Sequence, residues 1–260
     1  MKYKLVIQYD GSGYHGWQKQ PNEPKTVQRV LEDAAALVCG APTAVTASGR
    51  TDEGVHALGQ AAHFDAEKAL ASERYVAAFN HWLPADVRVL SCEPVPADFD
   101  ARKSAKRKTY EYRMYTADAA NPYGVENPLR RTRELFVRSL DVKAMDEAAR
   151  LFEGTHDFAA FMSSGSSAKT TVRTVYSSRV TAEGGSVVFR VCGNGFLYNM
   201  VRIMAGALVR VGTGRADAQT VAAALAGGDR RLVPDIAPAC ALYLKNVEYS
   251  QGLPKPYDAP

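Results

Sequence analysis

The chain has 260 residues, of which 46% are hydrophobic and 23% charged, and its formal net charge is +4. This length fits one large domain or two small ones, and the composition is that of a globular protein rather than a disordered chain. Arg or Gly interrupts every apolar stretch before it reaches the roughly 20 residues of a membrane span, and the N-terminus lacks a signal-peptide cleavage site. We therefore expect a cytoplasmic protein that does not enter a membrane.

The first part of the chain predicts the element order β-α-β-β-α-β. Its expected elements are the strand Tyr3–Tyr9, a helix starting near Thr26, the strands Thr43–Ala47 and Gly59–Phe64, the helix Ser72–Trp82 and the strand Asp86–Val95. Thr26 is a good helix N-cap. In the second helix, Tyr75, Phe79 and Trp82 are predicted to face the core.

The second part repeats this order more loosely. Its expected elements are the strand Lys108–Tyr115, a helix capped by Asp141, a hairpin of Thr171–Val180 and Ser186–Val191, the helices Leu197–Val211 and Gln219–Ala226, and the strand Ala241–Tyr249. Two such runs predict an α+β fold of two pseudo-repeated ferredoxin-like halves, with antiparallel sheets and an active-site cleft between them. The predicted halves are residues 1–104 and 105–250, followed by a tail at 251–260.

A glycine-rich segment, Gly11-Ser12-Gly13-Tyr14-His15-Gly16, matches the dinucleotide-binding pattern. That pattern requires a helix to begin inside the glycines, so that its N-terminus meets the pyrophosphate. Here Pro21 and Pro24 precede any predicted helix. We therefore interpret the segment as a tight loop and expect no nucleotide cofactor.

The spacing of cysteines and histidines argues against a metal site. The four cysteines, Cys39, Cys92, Cys192 and Cys240, are far apart and form no Cys-x-x-Cys pair. A site built on Asp52 and His56 would lack a third ligand. The prediction is that the protein holds no metal.

The segment from Ser48 to Ala57, with the sequence SGRTDEGVHA, is the most informative stretch. It lies between two predicted strands and carries Arg50, Asp52 and Glu53. A polar hairpin loop is one interpretation, because turns use Gly and Asp for geometry alone. A functional loop is the other, because the segment is long and chemically varied for a turn.

The predicted helix Leu197–Val211 has a broad apolar face and a narrow polar stripe. The stripe consists of Asn199, Arg202, Gly206 and Arg210. Exposure to solvent is the simpler explanation of the stripe. However, Arg202 has apolar neighbours, and a buried guanidinium requires an anion. Asp52 from the other half is the obvious candidate.

A third segment, Arg102 to Tyr112, combines basic residues with tyrosines. Basic side chains contact phosphates, and an aromatic ring can stack on an unpaired base. An ordinary edge strand protected by lysines would have a similar composition.

Together these segments resemble the tRNA pseudouridine synthase A family. The resemblance runs in order along nearly the whole chain. The matching motifs are Tyr9–Gly11 with Gly16–Gln18, Gly49–Ala57, Phe99–Tyr112, Gly154–Phe158, Gly195–Arg202 and Tyr243–Tyr249. Glu53 departs from the family pattern, which often has a small residue there, and we expect it to point away from Asp52.

The resemblance implies an isomerase that converts uridine to pseudouridine in the anticodon stem-loop of tRNA, at positions 38, 39 and 40. It also implies two α+β halves and a homodimer with tRNA lying across both subunits. No metal and no small-molecule cofactor are implied. The candidate partners are therefore tRNA and a second copy of the chain.

The matching motifs also imply roles for individual residues. Asp52 matches the catalytic carboxylate, which either attacks the ribose C1′ or removes the C2′ proton. Arg202 would keep Asp52 ionised and aimed. Arg50 would fill the space that the target base vacates, Tyr110 would stack on the extruded uracil, and Leu244 would pack on the pocket wall.

The sequence also offers candidate residues for binding phosphates, and it leaves two alternative functions open. The candidate phosphate contacts are Lys103, Lys106, Arg107, Lys108, Arg130, Arg131 and Arg133. The first rival is a non-catalytic RNA-binding protein, which leaves Arg202 on an apolar helix unexplained. The second is a glycoside or nucleoside hydrolase, although such enzymes usually use two acids.

Overall fold

The computed structural model describes residues 1–23, 25–67, 69–117, 127, 130–166, 168–183 and 185–249. The chain divides into two compact units. One unit comprises Met1–Lys106 and the chain from Tyr243 onward, and the other comprises Arg107–Leu242. The predicted tail at 251–260 lies outside the described residues, as do Pro24 and Gly184.

The first unit contains strands and helices in the order β-α-β-β-α-β, followed by the last strand of the chain. Its elements are β1 (Lys2–Tyr9), α1 (Val27–Cys39), β2 (Thr46–Ala47), β3 (His56–Asp65), α2 (Ser72–Trp82), β4 (Val87–Val95) and β10 (Leu242–Tyr249). Strands β4, β1 and β3 form an antiparallel sheet in that order. Strand β2 pairs antiparallel with β3, and β10 pairs parallel with it.

The helices of this unit begin and pack as their sequences predict, with one exception. The Thr26 hydroxyl accepts the Arg29 N–H at 3.4 Å and caps α1. Tyr75 and Phe79 of α2 are buried against Phe64, at centroid distances of 5.4 and 5.3 Å. The inward prediction for Trp82 is wrong: the residue is 53% exposed, because α2 ends there and the chain turns away at Leu83.

The second unit has four strands, each antiparallel to its neighbour, one short parallel strand and three α-helices within its described residues. Its elements are β5 (Ala105–Tyr115), β6 (Leu135–Phe136), α3 (Val142–Arg150), β7 (Gly154–Asp157), β8 (Val172–Glu183), β9 (Ser186–Gly193), α4 (Met200–Gly212) and α5 (Ala218–Gly227). The strand order is β5-β9-β8-β7, with β6 parallel to the end of β5. The fold is thus a mixed α+β fold.

The prediction that a helix begins at Leu197 is wrong, because α4 begins three residues later. Asn199 precedes the helix in a left-handed conformation, with φ of 59°. That conformation is incompatible with a right-handed helix, although Asn tolerates it better than most residues. Asn199 is therefore the N-cap position of α4 and not part of its polar stripe.

The described helices are also relevant to the membrane expectation. None of them, in the ranges given above, has both the length and the apolar character needed to cross a lipid bilayer.

His63 makes the stability of the first unit sensitive to pH. Nδ1 of its ring accepts a hydrogen bond from the Ala101 N–H at a distance of 3.0 Å. Burial lowers the pKa of His63, and the positive charge of Lys2 lowers it further. The folded protein therefore favours the neutral ring, while the unfolded chain takes up a proton below about pH 6.5.

We predict that this contribution to stability is complete above about pH 6.5 and is lost progressively as the pH falls below that value. His63→Asn keeps an acceptor at the Nδ1 position but does not titrate, so its melting temperature should fall less between pH 7.5 and 5.5. Thermal melts at several pH values test this. The exposed His81→Gln should melt like the wild type, and an equal pH response in His63→Asn would contradict the prediction.

Candidate functional site

The loop that contains Asp52 is held by backbone hydrogen bonds on both sides of that residue. The carbonyl of Thr51 accepts the Trp17 N–H at 3.0 Å, and the carbonyl of Asp52 accepts the Val55 N–H at 3.1 Å. Asp52 itself is half-buried, whereas Thr51 and Val55 are buried. Asp52 thus lies at a half-buried position between two residues, Thr51 and Val55, that are buried.

Two glycines allow the glycine-rich loop to pack directly on the Asp52 loop. A Cβ atom at Gly11 would lie 2.0 Å from the Val55 carbonyl oxygen, and one at Gly16 would lie 2.8 Å from that of Thr51. Gly16 also has a φ of 79°. No side chain fits at either position. The glycines therefore allow close backbone contact. A single 3-10 turn spans Gly11–Gly13, and the first α-helix begins at Val27, after the N-cap Thr26.

His56 closes the Asp52 loop at its far end. Its side chain is buried, and its Nδ1 lies 3.1 Å from the Gly11 N–H, which donates to it. Its ring stacks on Tyr243 of β10, at a centroid distance of 4.6 Å. His56 thus links the end of the Asp52 loop to the glycine-rich loop and to β10. Over the described residues, no group of three or more His, Cys, Asp or Glu side chains is placed to hold a metal ion.

The structure brings Leu244 next to the end of this loop. Leu244 is buried in β10 and lies in register with Ala57 of β3. Arg50 lies in the loop itself and is exposed. Glu53 is also exposed, and its carboxylate lies 3.5 Å from Nδ1 of His15. The second acid of the segment is therefore next to a histidine of the glycine-rich loop.

Tyr110 and Arg202 belong to the second unit, and their own surroundings are well defined. The ring of Tyr110, in β5, meets the ring of Phe196 edge to face at 5.2 Å. Phe196 in turn lies close to Gly193, where a Cβ atom would be 3.2 Å from its ring. No role was predicted for Phe196, although an aromatic residue directly after Gly-Asn-Gly and outside any strand or helix was a usable signal.

The polar stripe of α4 is covered by another segment of the same unit. Nε of Arg202 donates to the Ala237 carbonyl at 2.8 Å, and the Ala237 N–H donates to the Arg202 carbonyl at 3.1 Å. A Cβ atom at Gly206 would lie 2.8 Å from the Asp235 carbonyl oxygen. The simple solvent interpretation of the stripe is therefore wrong. Nη1 of Arg202 also donates to Oδ1 of Asn199 at 3.0 Å.

The candidate phosphate contacts differ in their environments. Arg107 is exposed, and its guanidinium lies 4.7 Å from the ring centroid of Tyr176, which is also exposed. Arg130 forms an ion pair with Glu134 and lies over the ring of Tyr115. Arg107 is thus presented beside an open aromatic ring, whereas Arg130 already has an anionic partner.

Substituting Gly16 tests the close contact between the two loops. Gly40 has a similar φ of 76°, but a Cβ atom added there would have no other atom within 4 Å. Gly40→Ala therefore measures the cost of the left-handed conformation alone, about 1 kcal/mol. Gly16→Ala adds a steric clash with the Thr51 backbone and should cost roughly 1–3 kcal/mol more. Urea denaturation of both variants measures the difference. Equal destabilisation would show that the loops separate easily.

Comparison with known proteins places these features in a family. Residues 5–102 and 148–250 match the family described as tRNA pseudouridine synthase. The tRNA pseudouridine synthase A of Syntrophotalea carbinolica is 46% identical over 248 residues, which covers 95% of this chain and 96% of that protein.

Two further relatives extend over the same length. The tRNA pseudouridine synthase A of Pelobacter propionicus is 44% identical over 247 residues, with coverage of 95% and 98%. That of Ruminiclostridium cellulolyticum is 42% identical over 250 residues, with coverage of 95% and 99%. The resemblance found in the sequence is confirmed, and the chain belongs to the tRNA pseudouridine synthase family.

Proposed function

We propose that this enzyme converts uridines at positions 38, 39 and 40 of the tRNA anticodon stem-loop to pseudouridine, with Asp52 as the catalytic carboxylate. Family membership supports the isomerase activity. The observation that carries the choice of Asp52 is its half-buried place in a loop that backbone hydrogen bonds hold on both sides of it.

The reaction requires no redox partner, because no atom is gained or lost. The bond from ribose C1′ to base N1 breaks, the base turns, and C1′ joins C5; the proton on C5 leaves and N1 acquires one. Cleavage of the first bond develops positive charge on the sugar. The Asp52 carboxylate stabilises this charge, either by bonding to C1′ or by removing the C2′ proton.

The remaining site residues act on the carboxylate or on the base. Arg202 pairs with Asp52 and keeps it ionised against the cost of desolvation. The target base leaves the stack at a cost of a few kcal/mol, and Arg50, which is exposed on the loop, fills the vacated space. Tyr110 stacks on the uracil, backed by Phe196, and Leu244 forms part of the pocket wall.

The rival functions account for fewer observations. A non-catalytic RNA-binding protein has no use for an acid on a loop so closely packed. A glycoside hydrolase needs a second acid, and the nearest in sequence, Glu53, lies beside His15.

The finer architecture is part of the same proposal. The β-α-β-β-α-β order of residues 2–95 supports a ferredoxin-like first half. The proposed division, at 104/105, gives a second such half in residues 105–250, with the catalytic cleft between the two; the chain from Tyr243 onward groups with the first compact unit instead. Two copies of the chain form a homodimer across which tRNA lies, and the enzyme acts in the cytoplasm, where tRNA is modified.

We predict that Asp52→Asn abolishes isomerisation and leaves tRNA binding nearly unchanged, because the substitution removes a charge but little volume. Release of tritium from tRNA labelled at uracil C5 measures the reaction, and filter binding measures affinity. Free uracil would identify a hydrolase instead. Wild-type tritium release by the Asn variant would reject Asp52 as the catalytic acid.

Arg202→Ala should lower kcat by about 100-fold or more. Without its partner the Asp52 carboxylate is no longer aimed, and a displacement of about 1 Å at a catalytic group costs a factor of about 100 in rate. Arg202→Lys should recover part of the loss, since it keeps the charge without the planar guanidinium. Arg210→Ala, on the same helix, is the control and should keep its activity. Full activity in Arg202→Ala would remove the ion pair from the mechanism.

A further inference from the structure

A chain of buried polar side chains runs beneath the Asp52 loop. Its four members are Tyr9 in β1, Ser48 and Thr51 in the loop, and Gln60 in β3. Ser48 and Gln60 have no exposed surface, and Tyr9 and Thr51 are also buried. All four lie in the first unit, so the network is local to the loop and its supporting strands.

The hydrogen bonds link these side chains into one network. The hydroxyls of Tyr9 and Thr51 are 2.7 Å apart, and the Tyr9 hydroxyl is also hydrogen-bonded to the Gln60 side chain. The amide of Gln60 donates to the Gly49 carbonyl at 2.9 Å and accepts the Ser48 hydroxyl at 2.7 Å. Gln60 therefore holds the beginning of the loop, at Ser48 and Gly49. Tyr9 holds Thr51, the residue before Asp52, and is itself bonded to Gln60.

Burial of these groups is costly unless each finds a partner. An apolar residue at Tyr9 or Gln60 would fill a strand position of the same core at lower desolvation cost. In a network this well connected, the hydrogen bonds define one arrangement of the groups and penalise alternatives. The specific consequence is a fixed orientation of the backbone from Gly49 to Thr51.

Asp52 follows directly after this fixed segment. Thr51 is held through its side chain by Tyr9 and through its carbonyl by Trp17. The direction in which the chain leaves Thr51 sets the position of the Asp52 carboxylate. A displacement of about 1 Å at a catalytic group can cost a factor of about 100 in rate, so loosening Thr51 has a kinetic consequence beyond stability.

We propose that Tyr9 and Gln60 are positioning residues that aim Asp52 at the sugar by fixing Thr51 and Gly49. This inference rests on the proposed role of Asp52. Both side chains are buried beneath the loop, so their loss should change the rate of the chemical step and leave tRNA affinity alone.

The titration behaviour of Tyr9 is consistent with such a role. Burial raises the pKa of Tyr9 to about 12, although its hydrogen bonds to Thr51 and Gln60 oppose the shift. The hydroxyl therefore stays protonated at every pH at which the enzyme is assayed. It remains a hydroxyl that can hydrogen-bond the loop to the strands.

Tyr9→Phe removes one hydroxyl and keeps the ring in the core. We expect kcat to fall by about 10- to 100-fold, with KM for tRNA within a factor of two of the wild-type value. The matched control is Tyr249→Phe, which removes a tyrosine hydroxyl that donates to the Ala101 carbonyl at 2.9 Å, away from both loops. It should lose comparable stability in urea denaturation and keep its kcat.

Variants of the partner residue separate positioning from general stability. Thr51→Ser keeps the hydroxyl that meets Tyr9 and should retain most of the activity, whereas Thr51→Val should lower kcat like Tyr9→Phe. Because both single changes break the same bond, the double variant Tyr9→Phe/Thr51→Val should be no slower than the slower single variant.

The outcomes distinguish this inference from the proposed site. Asp52→Asn is assayed in parallel, and its full activity would reject the site and with it the inference. If Asp52→Asn is inactive but Tyr9→Phe keeps wild-type kcat, the positioning role alone is rejected. An equal loss of kcat in Tyr249→Phe, additive losses in the double variant, or a change in KM instead of kcat would also overturn it.

Discussion

The position of Asp52 depends on direct backbone contact between two loops. The glycine-rich loop approaches the Asp52 loop so closely that Gly11 and Gly16 have no room for a side chain. The Trp17 N–H donates a hydrogen bond to the Thr51 carbonyl, and Nδ1 of His56 accepts one from the Gly11 N–H. Motifs that are far apart in the sequence thereby act as one rigid support, which is what an enzyme needs to hold a carboxylate in a single orientation.

Local sequence signals predicted much of the fold. Helix α2 has the predicted ends, and the N-caps of α1 and α3, Thr26 and Asp141, each accept a backbone N–H. Strands β6 and β7 were missed, because two to four residues are too few to show a period. The start of α4 was missed because Asn199 adopts a left-handed conformation that its apolar neighbours do not reveal.

The residues of the candidate site could be predicted from the sequence only in part. Asp52 stood out because an acid, an arginine and several glycines occur together between two strands. Tyr9 and Gln60 could not be recognised in this way, since each occupies an ordinary position in an alternating strand and acts only through residues distant in sequence. The glycine-rich segment was predicted to be a tight loop, but its partner, the Thr51 backbone, is a tertiary contact that no local pattern encodes.

The most direct test of the central claim is a crystal structure of the D52N variant bound to an anticodon stem-loop. The account predicts a target uridine turned out of the stack, with C1′ about 3.5 Å from the side chain at position 52, and Tyr110 against the base. A uridine still stacked in the loop, or a different acid facing C1′, would contradict it.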